Sequence, residues 1–378
     1  MGRYIGPMSE TAPFEIFLVA TPGLESALHA EAVERGFAAP ALVEGGVVVQ
    51  GTWPDVWRAN LELRGAGRVL ARITSFRAMH LAQLDKRARK VEWGTVLRKD
   101  VPVRVEASCK RSRIYHAGAT TQRIETALRE EFGATIAENA DVIIKARIED
   151  DLCTISVDTS GEMLHKRGHK EAVNRAPMRE TLAALFLRQA GFSGTEPVLD
   201  PMCGSGTFVI EAAEIAAGLN PGRSRHFAFE HLVGFDPAAW QKMRTAGAGA
   251  TPSAIFHGSD RDAGAIDMSR ANAERSGVAA FTAFRQQAIG ELTAPEGPPG
   301  LVIVNPPYGE RIGDKKALSA LYRTLGQRLT SGFSGWRVGI ITSDASLARA
   351  TGLPFNAPLP PVMHGGIRVN LYLTAALK

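Results

Sequence analysis

A short apolar strand at Pro197–Leu199 ends on Asp200, crosses a turn with two glycines at Pro201–Gly206, and enters a helix at Thr207–Ala217. The same order recurs downstream. Ile255–Gly258 reads as a second strand, followed by a helix that Asp262 can cap and that stops at Gly277. Phe281–Phe284 reads as a third strand, and Leu301–Val304 is a continuous apolar run of the kind buried on both faces of a parallel sheet. Val338–Thr342 and Ile367–Thr374 complete the set, with a helix at Thr181–Gln189 ahead of it. Strands alternating with helices in this way predict a doubly wound, Rossmann-like α/β sheet. Such folds take their ligands at the carboxyl ends of the strands, where Asp200 and the glycine turn fall.

The chain has 378 residues, enough for a second domain ahead of this one, with a boundary expected near 165/166. The first half has a different texture. Strand-like runs at Phe14–Ala20, Gly46–Gln50, Val69–Ser75, Val101–Ala107 and Leu152–Val157 are interleaved with helical patterns at Leu24–Arg35, Trp53–Leu63 and Thr121–Glu131. Elements this short suggest a compact α+β region. Its charge is uneven. Between Asp55 and Arg113 fifteen Lys/Arg stand against six Asp/Glu, whereas the whole chain nets only +5. A concentrated basic stretch is the footprint of a phosphate-binding surface, although a solvated helix such as Asp85–Lys90 gives the same count. No apolar run is long enough to span a bilayer. Met1–Pro13 shows no charged-then-apolar order, so no secretory leader is expected, and Met8 is a second candidate start. Cys109, Cys153 and Cys203 lie far apart without metal-ligand spacing, so no metal is expected and a reducing compartment, the cytoplasm, is the default.

The chemistry concentrates in three places. In Asp200-Pro-Met-Cys-Gly-Ser-Gly-Thr207 the glycines bare the backbone of a strand-to-helix turn. The dinucleotide fingerprint fails, because Val209 stands where its third glycine belongs, and no G-K-[ST] marks a triphosphate loop. An acidic strand end beside a bare turn suits a ligand with a cationic amino acid part and no phosphate. Asp260, closing the second strand, can accept from both hydroxyls of a ribose, and Gln287 after the third strand can meet an adenine. The third place is Asn305-Pro-Pro-Tyr308, directly after Leu301–Val304. Pro306 and Pro307 cannot continue a sheet ladder, so the segment offers the Asn305 amide and the Pro306 carbonyl as fixed acceptors, with Tyr308 as an aromatic plate. A purine's exocyclic amine is a poor nucleophile because its lone pair is delocalised into the ring. Two acceptors holding its hydrogens draw that pair towards an attacking direction, while an aromatic face stacks on the flipped base.

These motifs, with Gly258-Ser-Asp260 and Asn305-Pro-Pro-Tyr-Gly-Glu-Arg311, occur in an order that resembles class I methyltransferases acting on amino nitrogens. The chain is most similar to the bacterial large-subunit ribosomal RNA guanine-N2 methyltransferases, which carry a THUMP RNA-binding domain ahead of the catalytic one. Asp158–Gly168 and Ala176-Pro-Met-Arg-Glu180 resemble the junction between those domains. The resemblance implies S-adenosylmethionine as cofactor, held by Asp200, Pro201, Cys203, Gly204, Gly206, Asp260 and Gln287, the last standing where relatives often carry Asp. It implies Asn305, Pro306, Pro307 and Tyr308 as the target-base site. It places Lys110, Arg111, Arg113 and Tyr115, with His116, in the THUMP-like part as RNA contacts; Lys166 and Arg167, with Lys170, can extend that surface or simply terminate a strand. A second methyltransferase domain, present in some relatives, is not expected after Lys378. Ribosomal RNA of the large subunit is thus the expected partner. An adenine-N6 methyltransferase of DNA or RNA would share the same chemistry. A protein-glutamine methyltransferase and a non-enzymatic RNA-binding module fit less well, the latter because every part of a cofactor site is present.

Overall fold

The computed structural model describes residues 12–170, 178–247, 249–308 and 315–378. Ala176 and Pro177 of the junction motif, and Gly309–Arg311 of the motif after Tyr308, lie outside them. The described residues form two compact units. Unit 1 comprises those up to Ala20, Leu28–Leu164 and Arg225–Ala246, and unit 2 the remainder.

Unit 1 is built in the order β1 (Phe14–Val19), α1 (Glu25–Glu34), β2 (Ala38–Val43), β3 (Gly46–Gly51), α2 (Trp53–Glu62) and β4 (Arg68–Arg77). It continues with α3 (Leu81–Ala88), β5 (Val103–Lys110), α4 (Ala117–Ala127), β6 (Val142–Glu149) and β7 (Leu152–Asp158). Its strands share one sheet in the order β2-β3-β1-β4-β7-β6-β5, antiparallel except for β5 beside β6. β1 shows the logic: Phe14, Ile16 and Leu18 are buried while Glu15 faces water, so one face packs and the other is wet.

Unit 2 opens with α5 (Glu180–Gln189), β8 (Val198–Asp200) and α6 (Thr207–Ala216). The chain then contributes α7 (Pro237–Thr245) to unit 1, where Trp57, Phe227, Phe229, Phe235 and Trp240 form one aromatic cluster. Unit 2 resumes with β9 (Phe256–Asp260), α8 (Ala263–Ser276), β10 (Thr282–Gln286) and β11 (Leu301–Val304). It closes with α9 (Lys315–Gly332), β12 (Arg337–Thr342), α10 (Ala345–Ala350), β13 (Val362–His364) and β14 (Ile367–Leu373). The strand order is β10-β9-β8-β11-β12-β14-β13. β8 to β12 run parallel and β14 runs against β12. All four residues of β11 are buried, as its apolar run requires. Asp262 caps α8 by accepting from Gly264 N–H, and Gly277 ends it in the left-handed region. From β8 the chain winds outward through β9 and β10, then returns to β11 on the other side of β8. The carboxyl ends of β8 and β11 therefore flank the switch point of a doubly wound sheet.

Candidate active site

On one side of the switch point lies the turn after β8. Asp200 is 3% exposed, and its Oδ1 accepts from Met202 N–H at 3.1 Å. Burial pushes its carboxyl up to about 8, against that hydrogen bond and with help from Asp260. A carboxylate stripped of water in this way gains most from a ligand ammonium. Gly204 and Gly206 sit at φ +55° and +83°, a region costly for any other residue. A Cβ on Gly206 would come within 3.1 Å of Ser269 Oγ, so that glycine serves packing against α8. A Cβ on Gly204 would meet no atom of the described residues within 4 Å, so among them the bare backbone is uncovered.

Asp260 ties the turn to the end of β9, its carboxylate accepting from Gly204 N–H at 3.1 Å and Asp262 N–H at 3.0 Å. Each oxygen keeps a lone pair for a ribose hydroxyl. Gln287 donates through Nε2 to the Glu291 carbonyl at 2.8 Å, which leaves its own carbonyl oxygen as the acceptor for an adenine amine. Cys203 departs from expectation. Its thiol is buried beneath the turn, 3.8 Å from Ser269 Oγ, and its N–H is taken by the Ser259 carbonyl, so it supports the turn and does not line it. Pro201 is buried as well.

Two residues of this site were not anticipated. Ser269 and Asn272, both fully buried on α8, donate to the carbonyls of Gly204 at 2.9 Å and Ser205 at 3.0 Å. Their signal was present: they are three apart, on the same helix face as Ala265, Ile266 and Ala273. Polar side chains on an apolar face need partners, and here the partners are turn carbonyls.

Across the switch point, β11 stops at Val304 and Asn305-Pro-Pro-Tyr308 leaves the sheet. The Tyr322 hydroxyl of α9 donates to the Pro307 carbonyl at 3.4 Å. Asn305 Oδ1 is buried and has no hydrogen-bond partner among the described residues. A buried acceptor left unpaired costs about 1–3 kcal/mol, a cost that a ligand donor would recover. Pro306 is buried. Tyr308 does not present the open plate expected of it: only 9% of the residue is exposed, and burial pushes its hydroxyl up to about 12. It forms a wall of the site. Among the described residues no His/Cys/Asp/Glu cluster is arranged to hold a metal.

Residues 167–358, just over half of the chain, match the RMKL-like methyltransferase domain UPF0020. The chain belongs to this methyltransferase family. Residues 15–70 of the methyltransferase also match the RlmL ferredoxin-like domain, the THUMP-type region expected ahead of the catalytic part. Among solved structures it resembles SMU.472, a candidate methyltransferase complexed with SAH. The identity is 25% and the TM-score 0.88, over 98% of this chain and 100% of the other. A Listeria monocytogenes protein named as a predicted N6-adenine-specific DNA methylase is 28% identical with TM-score 0.87, over 96% of both chains. TrmN from Thermus thermophilus, at 20% identity, TM-score 0.75 and 96% and 99% coverage, shares the fold. The methyltransferase has the class I fold and uses S-adenosylmethionine.

The cations expected at RNA are placed unequally. Arg113 is 70% exposed and Tyr115 84% exposed. Lys110 and Arg111 are exposed but ion-paired, Lys110 to Glu44 and Arg111 to Glu149 and Asp150. Lys166 is exposed. Arg167 is not a surface residue: it is 1% exposed and lies 3.0 Å from Glu211, itself 1% exposed. Lys170 is likewise engaged, with Glu180 at 2.9 Å and Thr207 at 2.7 Å. Nor does the basic stretch make a basic unit. The described residues of unit 1 hold 23 Lys/Arg and 22 Asp/Glu, so most of the chain's net +5 lies elsewhere.

Proposed function

We propose that this methyltransferase methylates the exocyclic N2 of a guanosine in RNA, with 23S ribosomal RNA as the substrate. The observation that carries the reading is the buried Oδ1 of Asn305 at the switch point, an acceptor without a hydrogen-bond partner among the described residues. The RlmL ferredoxin-like match ahead of the catalytic unit supports RNA as the substrate class, and the guanine assignment rests on the resemblance of the sequence motifs. Asp200, with the backbone at Gly204 and Gly206, holds the methionine part of the cofactor, Asp260 its ribose and Gln287 its adenine. The cofactor supplies an electrophilic methyl group. Asn305 Oδ1 and the Pro306 carbonyl accept from the two amine hydrogens of the base, Pro307 fixes the segment, and Tyr308 walls the ring. Exposed Lys110, Arg111, Arg113, Tyr115 and Lys166 take the RNA backbone, since exposed ion pairs are weak and exchange readily for phosphate. The three free thiols support a cytoplasmic location. A second reading, adenine N6, is favoured by the name of the Listeria structure. The first test is tritiated methyl transfer to unmodified 23S rRNA transcript and to duplex DNA: transfer to the RNA is expected, and transfer to the DNA alone would reject the reading.

The Asp200 assignment carries its own expectation. A carboxyl titrating at about 8 is mostly protonated at pH 6, yet a ligand ammonium needs it charged. Cofactor affinity should therefore rise roughly tenfold per pH unit between pH 6 and 8, with release of one proton. Above that the ligand's own amine, with a usual pKa of about 8, loses its charge and the gain stops. The sign for stability is opposite: a raised pKa stabilises the free fold at low pH, and that contribution is lost as pH rises through 8. Calorimetry in two buffers of different ionisation heat measures the proton. Asp200→Asn should abolish its release, and an unchanged release would remove Asp200 from the site.

A further inference from the structure

The β13–β14 hairpin projects from the same end of the sheet as Asn305, where the parallel strands finish. Val304 of β11 pairs with Ile340 of β12, and Ile340 with Tyr372 of β14. Because β14 runs against β12, its beginning projects past the strand ends. Gly366 is six residues before Tyr372, so it lies about 20 Å further along the strand direction and two strands, about 10 Å, to the side. Its connection is tight: Gly365 and Gly366 have φ +56° and +83°, the pattern of a type I′ turn, and no atom of the described residues beyond their chain neighbours lies within 4 Å of either Cβ position. The tip is slender and preorganised.

Its side chains are unusual for a solvated loop. Val362 and Val369, a cross-strand pair, are buried and anchor the base. The Asn370 amide, donating to the Leu359 carbonyl at 2.9 Å, pins it further. Next to the tip, Met363 is 40% and Ile367 42% exposed, and they lie on opposite faces of the hairpin. Arg368, opposite Met363, is exposed. Arg179, which precedes α5, is exposed and near enough to His364 to join burial in holding that imidazole below its usual range.

We propose that this hairpin is a wedge that enters the RNA stack beside the target nucleotide. Met363 and Ile367 fill the space the base vacates, and Arg368 contacts the neighbouring phosphate. Long aliphatic side chains, Met and Ile among them, serve this purpose where a base step must be unstacked. A base inside a helix cannot reach Asn305 unless it is extruded, and the vacated gap must then be held. The inference rests on the RNA reading above.

The test compares wild type, the double variant Met363→Ser/Ile367→Ser, and Met363→Leu/Ile367→Leu on unmodified 23S rRNA transcript. Both positions are exposed and the turn is retained, so the fold should persist, as thermal unfolding can verify. The serine variant should lose roughly tenfold or more in single-turnover rate, with RNA KM within about twofold and cofactor affinity unchanged. The leucine variant should recover the rate. A serine variant with the wild-type rate overturns the wedge, as does a loss confined to KM. Wild type inert on the transcript overturns the RNA reading itself and the wedge with it.

Discussion

Asn305→Ala should turn over RNA on the order of 10²–10³-fold more slowly than wild type while binding S-adenosylmethionine with nearly the same affinity. On the proposed arrangement the loss falls on turnover, because the Asn305 acceptor would act on the amine as its lone pair moves towards the methyl. It would not touch the cofactor's methionine or ribose, which are assigned to Asp200 and Asp260. Tyr308→Phe should be mild, since burial keeps the hydroxyl neutral at any working pH and the ring remains. Tyr308→Ala removes a wall of the site and should weaken the RNA complex by roughly 1–3 kcal/mol. Single-turnover rates with calorimetric cofactor affinities separate these effects. Equal losses in cofactor affinity and rate for Asn305→Ala would mean that the residue holds up the site without acting in the reaction.

Arg167→Ala should destabilise the methyltransferase unit by about 3–5 kcal/mol, because it breaks a buried ion pair by removing the guanidinium that lies against the Glu211 carboxylate of α6. His169 and Arg223 reach the second buried acid of α6, Glu214, at 3.2 Å and 2.6 Å. Residues 167–170 are thus stapled to the helix whose first residue follows Gly206, and loosening them should disturb the cofactor turn. Urea unfolding measures the cost. Were Arg167 an RNA contact, stability would be unchanged and only the salt slope of RNA binding would flatten, by about one.

Arg167 also shows where sequence reading reaches its end. Lys166-Arg167 looks like surface charge, and only the packing of Arg167 against Glu211 reveals one as exposed and the other as interior. The local excess of positive charge is balanced in space for the same reason. A window from Asp55 to Arg113 ignores Glu44, Glu149, Asp150, Asp151 and Asp158, which lie distant in sequence yet bind its cations in space. Elements with an unambiguous pattern were legible: the continuous apolar run Leu301–Val304, the alternation of β1, and the Asp262-to-Gly277 helix with its caps. β2 was not, since Ala38–Val43 is a mostly exposed edge strand without alternation. The local structure around the switch point was legible where it restricts residue type: Asp200 closes β8, Gly204 takes a positive φ and Asn305 follows β11. It was illegible where a common residue acts through position alone, as with Ser269 and Asn272. Tyr308 was recognised by type but misjudged in exposure, because the turn imposed by two prolines is a matter of three dimensions.

The central claim is that an amino group of guanine in RNA is the nucleophile. The most direct measurement is mass spectrometry of nucleosides from unmodified 23S rRNA transcript after incubation with the purified protein and isotopically labelled S-adenosylmethionine. The account predicts labelled N2-methylguanosine from wild type, and its near absence from Asn305→Ala at equal time. Labelled N6-methyladenosine in its place would contradict the guanine assignment, and label in neither nucleoside would contradict the account as a whole.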